Sequence, residues 1–117
     1  MIYTSYFAKM RRMTPEQQAQ CISVARWTPK GVKIPINNML APSWKILKAY
    51  KEDGDKEKFT EAYKKYLYLS CLNVDIIARH LQDKILLCYE KPQDFCHRHI
   101  LADWFNDNGY ECEELTI

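Results

Sequence analysis

A short apolar run near the C-terminal end, followed by a turn and a helix start, constrains the fold of this 117-residue chain most. Ile85–Cys88 are consecutive apolar residues, which is typical of a parallel strand covered on both faces. Pro92 ends strand pairing, and Asp94 is a suitable helix N-cap because its carboxylate can accept from free backbone N–H groups. The stretch therefore predicts a buried strand, a tight turn and a helix over residues 95–108.

Strands and helices alternate along the rest of the chain. The alternation is the pattern of α/β domains with a parallel sheet. We predict one α/β domain over residues 1–117, a small Rossmann-like fold with a mostly parallel sheet of about four strands, in the order 2-1-3-4, and helices on both faces. The predicted strands are 1–7, 21–26, 85–88 and 110–115, and the other long helices are 43–51, 56–71 and 73–81.

Composition excludes several classes of protein. The net charge is only +2, so a general polyanion binder is disfavoured and any anion site must come from local clustering. No apolar run approaches the roughly 18 residues of a membrane span, and residues 1–7 predict a strand rather than a signal peptide. These features indicate a cytoplasmic protein without membrane contact. The five cysteines are an odd number and widely spread, so we expect reduced thiols.

Three reactive side chains follow the buried strand and are candidate catalytic residues: Glu90, Cys96 and His97. Open α/β sheets bind ligands at the carboxyl ends of their strands, and a helix N-terminus adds positive potential there. Glu90 could serve as a general base, an acid or a nucleophile, with His97 assisting. The alternative is that Glu90 forms a structural ion pair with Arg98 that fixes the turn.

Basic and aromatic residues follow several predicted strands and are candidates for binding a phosphate-bearing ligand. Because parallel strands end at one edge, Arg26 and Arg98 should meet there and bind phosphate. Tyr6 should lie at the same edge. Aromatic side chains could stack on a base; the alternative is that they belong to the core and that the lysines are ordinary surface. The aromatic candidates are Tyr6, Trp27, Trp44 and Tyr89.

Cys96 allows two further interpretations. A cysteine at a helix start beside His97 and Arg98 should have a lowered pKa, which suits a nucleophile or a redox thiol; the alternative is a small packing residue. The Cys-x5-Arg spacing of cysteine phosphatases fails from Cys88 and from Cys96. No two cysteines have the spacing of a zinc ribbon or finger. We therefore expect no metal site and no cofactor.

These segments resemble the bacterial and phage family catalogued as domain of unknown function 488. The similarity is carried by residues 86–92, 94–99 and 101–104, with further matches at 2–7, 22–26 and 40–43. The resemblance implies a compact Rossmann-like domain and carries no established reaction. It maps the family's signature onto Tyr6, Arg26, Cys88, Glu90, Cys96, His97 and Arg98.

Two functions compete at this stage. The first is an enzyme that acts on a nucleotide, a nucleoside or a nucleic acid at the carboxyl edge of the sheet, with Glu90 as the reactive group. The alternative is a non-catalytic module that binds a phosphate ligand or a partner, as in phage–host conflict. In that case Arg26 and Arg98 would be essential and Glu90 dispensable. Thiol chemistry at Cys96 is a third hypothesis.

Overall fold

The structure, a computed structural model, describes residues 1–69, 73–90 and 95–117. It confirms a small α/β fold with one four-stranded, all-parallel sheet. None of the helices in these ranges is long and apolar enough to cross a bilayer. The strands are β1 (Ile2–Tyr6), β2 (Cys21–Ser23), β3 (Ile85–Cys88) and β4 (Cys112–Glu114). The α-helices are α1 (Pro15–Ala19), α2 (Trp44–Asp53), α3 (Lys56–Leu69), α4 (Val74–His80) and α5 (His97–Asp107).

The predicted strand order 2-1-3-4 is wrong, because the observed order is β2-β3-β1-β4. All four residues of β3 are buried, and a strand of this kind is most stable between two neighbours. The shorter strands β2 and β4 take the two edges. The outer side of β2 is also occupied, since the Ser23 N–H donates to the Pro35 carbonyl and the Asn37 N–H donates to the Ser23 carbonyl, both at 2.8 Å.

Helical segments cover both faces of the sheet because the chain crosses it in both directions. Right-handed crossovers place their helices on opposite faces when the direction of travel reverses. The first connection moves from β1 to β2, whereas the later two move back toward β4. Side chains of β3 alternate accordingly. Leu86 belongs to the larger core with α3, α4 and α5, and Ile85 and Leu87 belong to a smaller core with Met13.

Local capping residues set most of the helix starts, as the sequence predicts. Ser43 accepts a hydrogen bond from the Ile46 N–H at 3.3 Å, and Asn73 caps α4 in the same manner. The start of α5 differs, because its N-cap is Cys96 and the helix begins at His97, two residues later than predicted. Two residues used in that prediction, Pro92 and Asp94, lie outside the described residues, as does the predicted helix end at Cys71.

One ion pair fastens α5 to the edge strand β4. The Arg98 guanidinium is completely buried, and it donates from Nε to Glu114 Oε1 at 3.1 Å and from an Nη to Glu114 Oε2 at 2.9 Å. Thr4 of β1 donates its hydroxyl to the same carboxylate at 2.7 Å. The other Nη of Arg98 donates to the Glu90 carbonyl at 2.5 Å. Two strands, one helix and the segment after β3 therefore share a single charged centre.

We expect Arg98→Met to lower the free energy of unfolding by about 3 kcal/mol, because it leaves the largely buried Glu114 carboxylate without its counter-ion. Urea denaturation measures the change. The exposed pair of Lys58 and Asp53, 3.3 Å apart, provides a matched control, and Lys58→Met should cost less than about 1 kcal/mol.

A second variant tests the physical reason for this loss. The double substitution Arg98→Met with Glu114→Leu removes both charges and should recover part of the stability, since no unpaired charge remains. Equal losses from Arg98→Met and Lys58→Met would contradict the role given to the buried pair.

Candidate functional site

A cleft of about 220 Å³ lies at the carboxyl ends of β2 and β3. This is the edge at which open α/β sheets bind their ligands. Residues at or just after the ends of both strands form part of the wall, and α2 supplies another part. The side chains that matter for chemistry are Arg26, Trp27, Lys51, Tyr89, Glu90 and His97.

An aromatic wall with an exposed surface lines one side of the cleft. Trp27 is 57% exposed, although a residue of this size is usually largely buried. Its ring packs edge-on against Trp44, with the ring centroids 5.4 Å apart, and Lys51 Nζ lies 5.3 Å from the centroid of Trp44. The edge contact holds Trp27 in place and leaves an aromatic surface available to a ligand.

The floor of the cleft holds a disulfide between Cys88 and Cys96, with Cα atoms 7.5 Å apart. The expectation of reduced thiols is therefore wrong for this pair, and it holds for the buried Cys21 and Cys112. The physical reason is that β3 ends at Cys88 just where the N-cap of α5 returns to the sheet. In this state Cys96 is not the free, low-pKa thiol that the sequence suggested.

His97 is buried beneath the cleft and has a defined tautomer. Its Nε2 lies 2.8 Å from the Val24 carbonyl oxygen, and because a carbonyl only accepts, Nε2 carries the proton. Burial lowers the pKa of His97 to about 4; the hydrogen bond to the Val24 carbonyl opposes this shift, and the charges of Arg98 and His99 contribute to it. At neutral pH the ring is uncharged and its one proton, on Nε2, is donated to Val24, so Nδ1 has no proton to supply as an assisting acid.

Glu90 has its side chain in the cleft and its backbone tied to the core. The carboxylate is exposed, and Oε2 lies 3.3 Å from Cys88 Sγ. The Glu90 carbonyl accepts from Arg98, whose carboxylate partner is Glu114. The alternative of an ion pair between the Glu90 carboxylate and Arg98 is therefore wrong, since Nε and one Nη of Arg98 donate to Glu114 and the other Nη donates to the Glu90 main-chain carbonyl. The Glu90 carboxylate lines the cleft instead.

Arg98 does not have the predicted role of a phosphate ligand. Its side chain is 0% exposed and its nitrogens already donate to Glu114 and Glu90. It lies near Tyr6, with Cζ 5.8 Å from the ring centroid. Tyr6 contacts this buried cation and is not among the cleft-lining residues of the described chain. Arg26, by contrast, is exposed and lines the cleft.

Sequence reasoning does not identify two residues that shape the site, Lys51 and Glu114. Lys51 reaches the cleft because the end of α2 lies over the ends of β2 and β3, and no local pattern signals this packing. Glu114 had a weak signal, because it belongs to a short acidic strand that the sequence placed at an edge. The expectation that a buried arginine needs an acidic partner, applied to this acidic strand, would have identified Glu114.

The buried thiols outside the cleft have raised pKa values. Burial raises the pKa of Cys21 to about 11. Burial, reinforced by the charges of Glu114, Glu113 and Asp103, raises the pKa of Cys112 to about 12. A thiol with such a pKa is almost entirely protonated at neutral pH and is a poor nucleophile. Sulfur chemistry in the described part of the chain is therefore confined to Cys88 and Cys96.

Comparison with known proteins identifies a family to which the chain is similar. The family model DUF488-N3a, described as the active DUF488-N3 subclade, matches residues 5–109. This range includes every residue of the cleft discussed above, begins within β1 and leaves out the whole of β4. No curated protein and no solved structure matches the chain.

The stability of the disulfide form should fall in acid because of His97. Its pKa is about 4 when folded, compared with about 6.5 unfolded, so only the unfolded chain binds this proton between those values. Stability from this source is complete above about pH 6.5 and is lost as the pH falls toward 4. Between pH 7 and pH 5 the wild type should lose about 2 kcal/mol more than His97→Gln.

Urea denaturation at the two pH values, without reductant and with a chelator, measures this difference. His80→Gln, which removes an exposed imidazole on α4, is the matched control for loss of a histidine. The same loss of stability in wild type and His97→Gln would contradict the neutral, buried state of His97.

Proposed function

The chain belongs to the DUF488-N3a family, and from that premise we propose that it is an enzyme acting on a nucleotide or nucleoside bound in the cleft. One observation carries the proposal: an exposed carboxylate, an exposed indole and two cations line the same cleft at the carboxyl ends of parallel strands. The description of the family as an active subclade supports an enzyme rather than a passive binding module.

The size of the cleft favours a small ligand. Sites for drug-sized molecules usually measure about 300–1,000 Å³. At about 220 Å³ the cleft fits one base with its sugar better than an extended oligonucleotide. A nucleic-acid substrate would therefore have to present a single unstacked nucleotide.

The side chains divide into three roles. Trp27 stacks on the base, since its ring is exposed and is held by Trp44. Arg26 and Lys51 bind phosphate, because both are exposed cations on the cleft wall. They replace Arg98 in that role. The small net charge of the chain is no obstacle, because these cations act locally.

Glu90 is the reactive group of the proposed enzyme. It lies close after the buried strand β3, and its backbone carbonyl accepts a hydrogen bond from Arg98. Because the main chain is held in this way, the carboxylate can occupy only a limited region of the cleft. Strand-end glutamates attack the sugar C1′ in N-glycosidases and deoxyribosyl transferases on Rossmann-like sheets, and that analogy suggests a base or a nucleophile. His97 and the disulfide form the floor on which the substrate rests.

Ligand binding should depend on the indole of Trp27. In a thermal-shift panel of nucleosides and their monophosphates, we expect at least one compound to raise the Tm of the wild type. Trp27→Ala should weaken binding of that compound by about 10-fold, because stacking contributes about 1–3 kcal/mol per base. Calorimetric titration gives the Kd.

Tyr68→Ala is the matched control for the indole, because Tyr68 is 82% exposed and lies outside the cleft. It should leave the Kd unchanged. The nucleotide proposal fails if no compound in the panel stabilises the protein, or if both aromatic variants bind equally well.

Turnover should depend on the carboxylate of Glu90. With the ligand found in the panel as substrate, Glu90→Gln should lower kcat by at least 100-fold and leave the Kd within about 3-fold of the wild type. Glu111→Gln is the control, since Glu111 is exposed and precedes β4 at the opposite edge of the sheet. Both rates come from chromatographic analysis of the product.

The same experiment separates the enzyme from a non-catalytic module. A binding module would use Arg26 and Lys51 for phosphate and would bind its ligand unchanged in Glu90→Gln, with no turnover in the wild type. That outcome would overturn the enzymatic proposal and retain the ligand class.

A further inference from the structure

We propose that Cys88, Cys96 and His97 form a metal site for Zn²⁺ when both cysteines are thiols. The inference goes beyond the proposed function and does not depend on the ligand of the cleft. It rests on a cluster of three donor atoms that the sequence spacing does not reveal.

The donor atoms of the three residues all lie within 4.8 Å of one another, and all three residues are buried. Sulfur and imidazole nitrogen are the ligands that Zn²⁺ prefers. Two cysteines and one histidine are also a known ligand set of catalytic zinc, which leaves a fourth position open. No other such cluster occurs in the described part of the chain.

The orientation of His97 suits a metal ligand. Nε2 donates to the Val24 carbonyl, so Nδ1 keeps its lone pair, and Nδ1 lies 3.8 Å from Cys88 Sγ. Metal-binding histidines usually donate their second N–H to a carbonyl or carboxylate, which fixes the tautomer and the ring plane. This outer contact is already present, so His97 needs no tautomer change to bind a metal.

The backbone spacing of the cysteines also favours a metal between them. Disulfides usually join Cα atoms about 4.4–6.8 Å apart, whereas Cys88 and Cys96 are separated by 7.5 Å. Two Zn–S bonds of about 2.3 Å hold their sulfur atoms nearly 4 Å apart, and the Cα atoms can then lie farther apart than in a disulfide. The observed separation accommodates that arrangement with little backbone movement.

Charges around the cluster are compatible with a bound dication. An Arg98 nitrogen lies 3.9 Å from Cys88 Sγ, close enough to favour a thiolate there. Glu90 Oε2 lies 3.3 Å from the same sulfur. Because Cys88, Glu90 and His97 line the cleft, water or the Glu90 carboxylate can reach the fourth position.

The disulfide must be reduced before the metal can bind. A cellular dithiol supplies two electrons and two protons to the Cys88–Cys96 bond, and is itself oxidised to a disulfide. The S–S bond breaks and two thiols form. Zn²⁺ then binds both sulfurs and Nδ1 of His97, and the two thiol protons pass to water. Neutral His97 releases no proton.

Zinc titration of the reduced full-length protein tests the site. We expect one Zn²⁺ per chain by calorimetry in the presence of a phosphine reductant, and no uptake by the disulfide form. Co²⁺ in place of Zn²⁺ should give tetrahedral ligand-field bands and a thiolate-to-metal charge-transfer band. Cys88→Ser and Cys96→Ser should each weaken binding at least 10-fold, whereas Cys112→Ser, a matched buried cysteine outside the cluster, should not.

Alkylation of the wild type gives a test that needs no variant. In the reduced protein, Zn²⁺ should slow labelling of Cys88 and Cys96 at least 10-fold by peptide mass spectrometry, and should leave labelling of Cys21 unchanged. The proposal is overturned if reduced protein takes up no stoichiometric Zn²⁺, if uptake survives in both serine variants, or if Zn²⁺ leaves the labelling of Cys88 and Cys96 unaltered.

Discussion

The buried guanidinium of Arg98 is the contact on which the geometry of the cleft depends. It lies where the ends of β1 and β3 meet, and it joins Glu114 of β4 to the backbone carbonyl of Glu90. In such a sheet, ligands usually bind in the crevice between two adjacent strands whose following connections lie on opposite faces of the sheet. Here an arginine fills that crevice. The open space is displaced toward β2, and the cleft is formed there.

This displacement explains how the candidate reactive groups are arranged. Glu90 is held through its main chain, so its carboxylate remains available. Cys88 and His97 lie below it, with Nδ1 of the imidazole directed at sulfur by the hydrogen bond to Val24. The carboxylate of Glu90 and the sulfur–imidazole pair are thus neighbouring groups with different proposed roles. The proposed enzyme uses the first, and the proposed metal site uses the second.

The features that sequence reasoning found are those decided by neighbouring residues. Ser43 and Asn73 cap their helices because one side chain satisfies N–H groups within three positions along the chain. The α/β class follows from the same kind of local pattern. Strand order, the partner of Arg98 and the arrival of Lys51 at the cleft depend on packing between distant segments. Sequence spacing alone does not show whether Glu114 or Glu90 pairs with Arg98. The choice depends on the position of β4, which brings Glu114 to the buried guanidinium.

The two outer strands have a consequence for how copies of this chain can associate. A free strand edge offers unpaired N–H and C=O groups to another chain and invites fibrous aggregation. On one side, the loop that contains Pro35 and Asn37 is already hydrogen-bonded to Ser23 of β2. On the other side β4 is only three residues long and carries the exposed acid Glu113. The sheet is therefore a poor template for growth by strand addition, even though its central strand is apolar throughout.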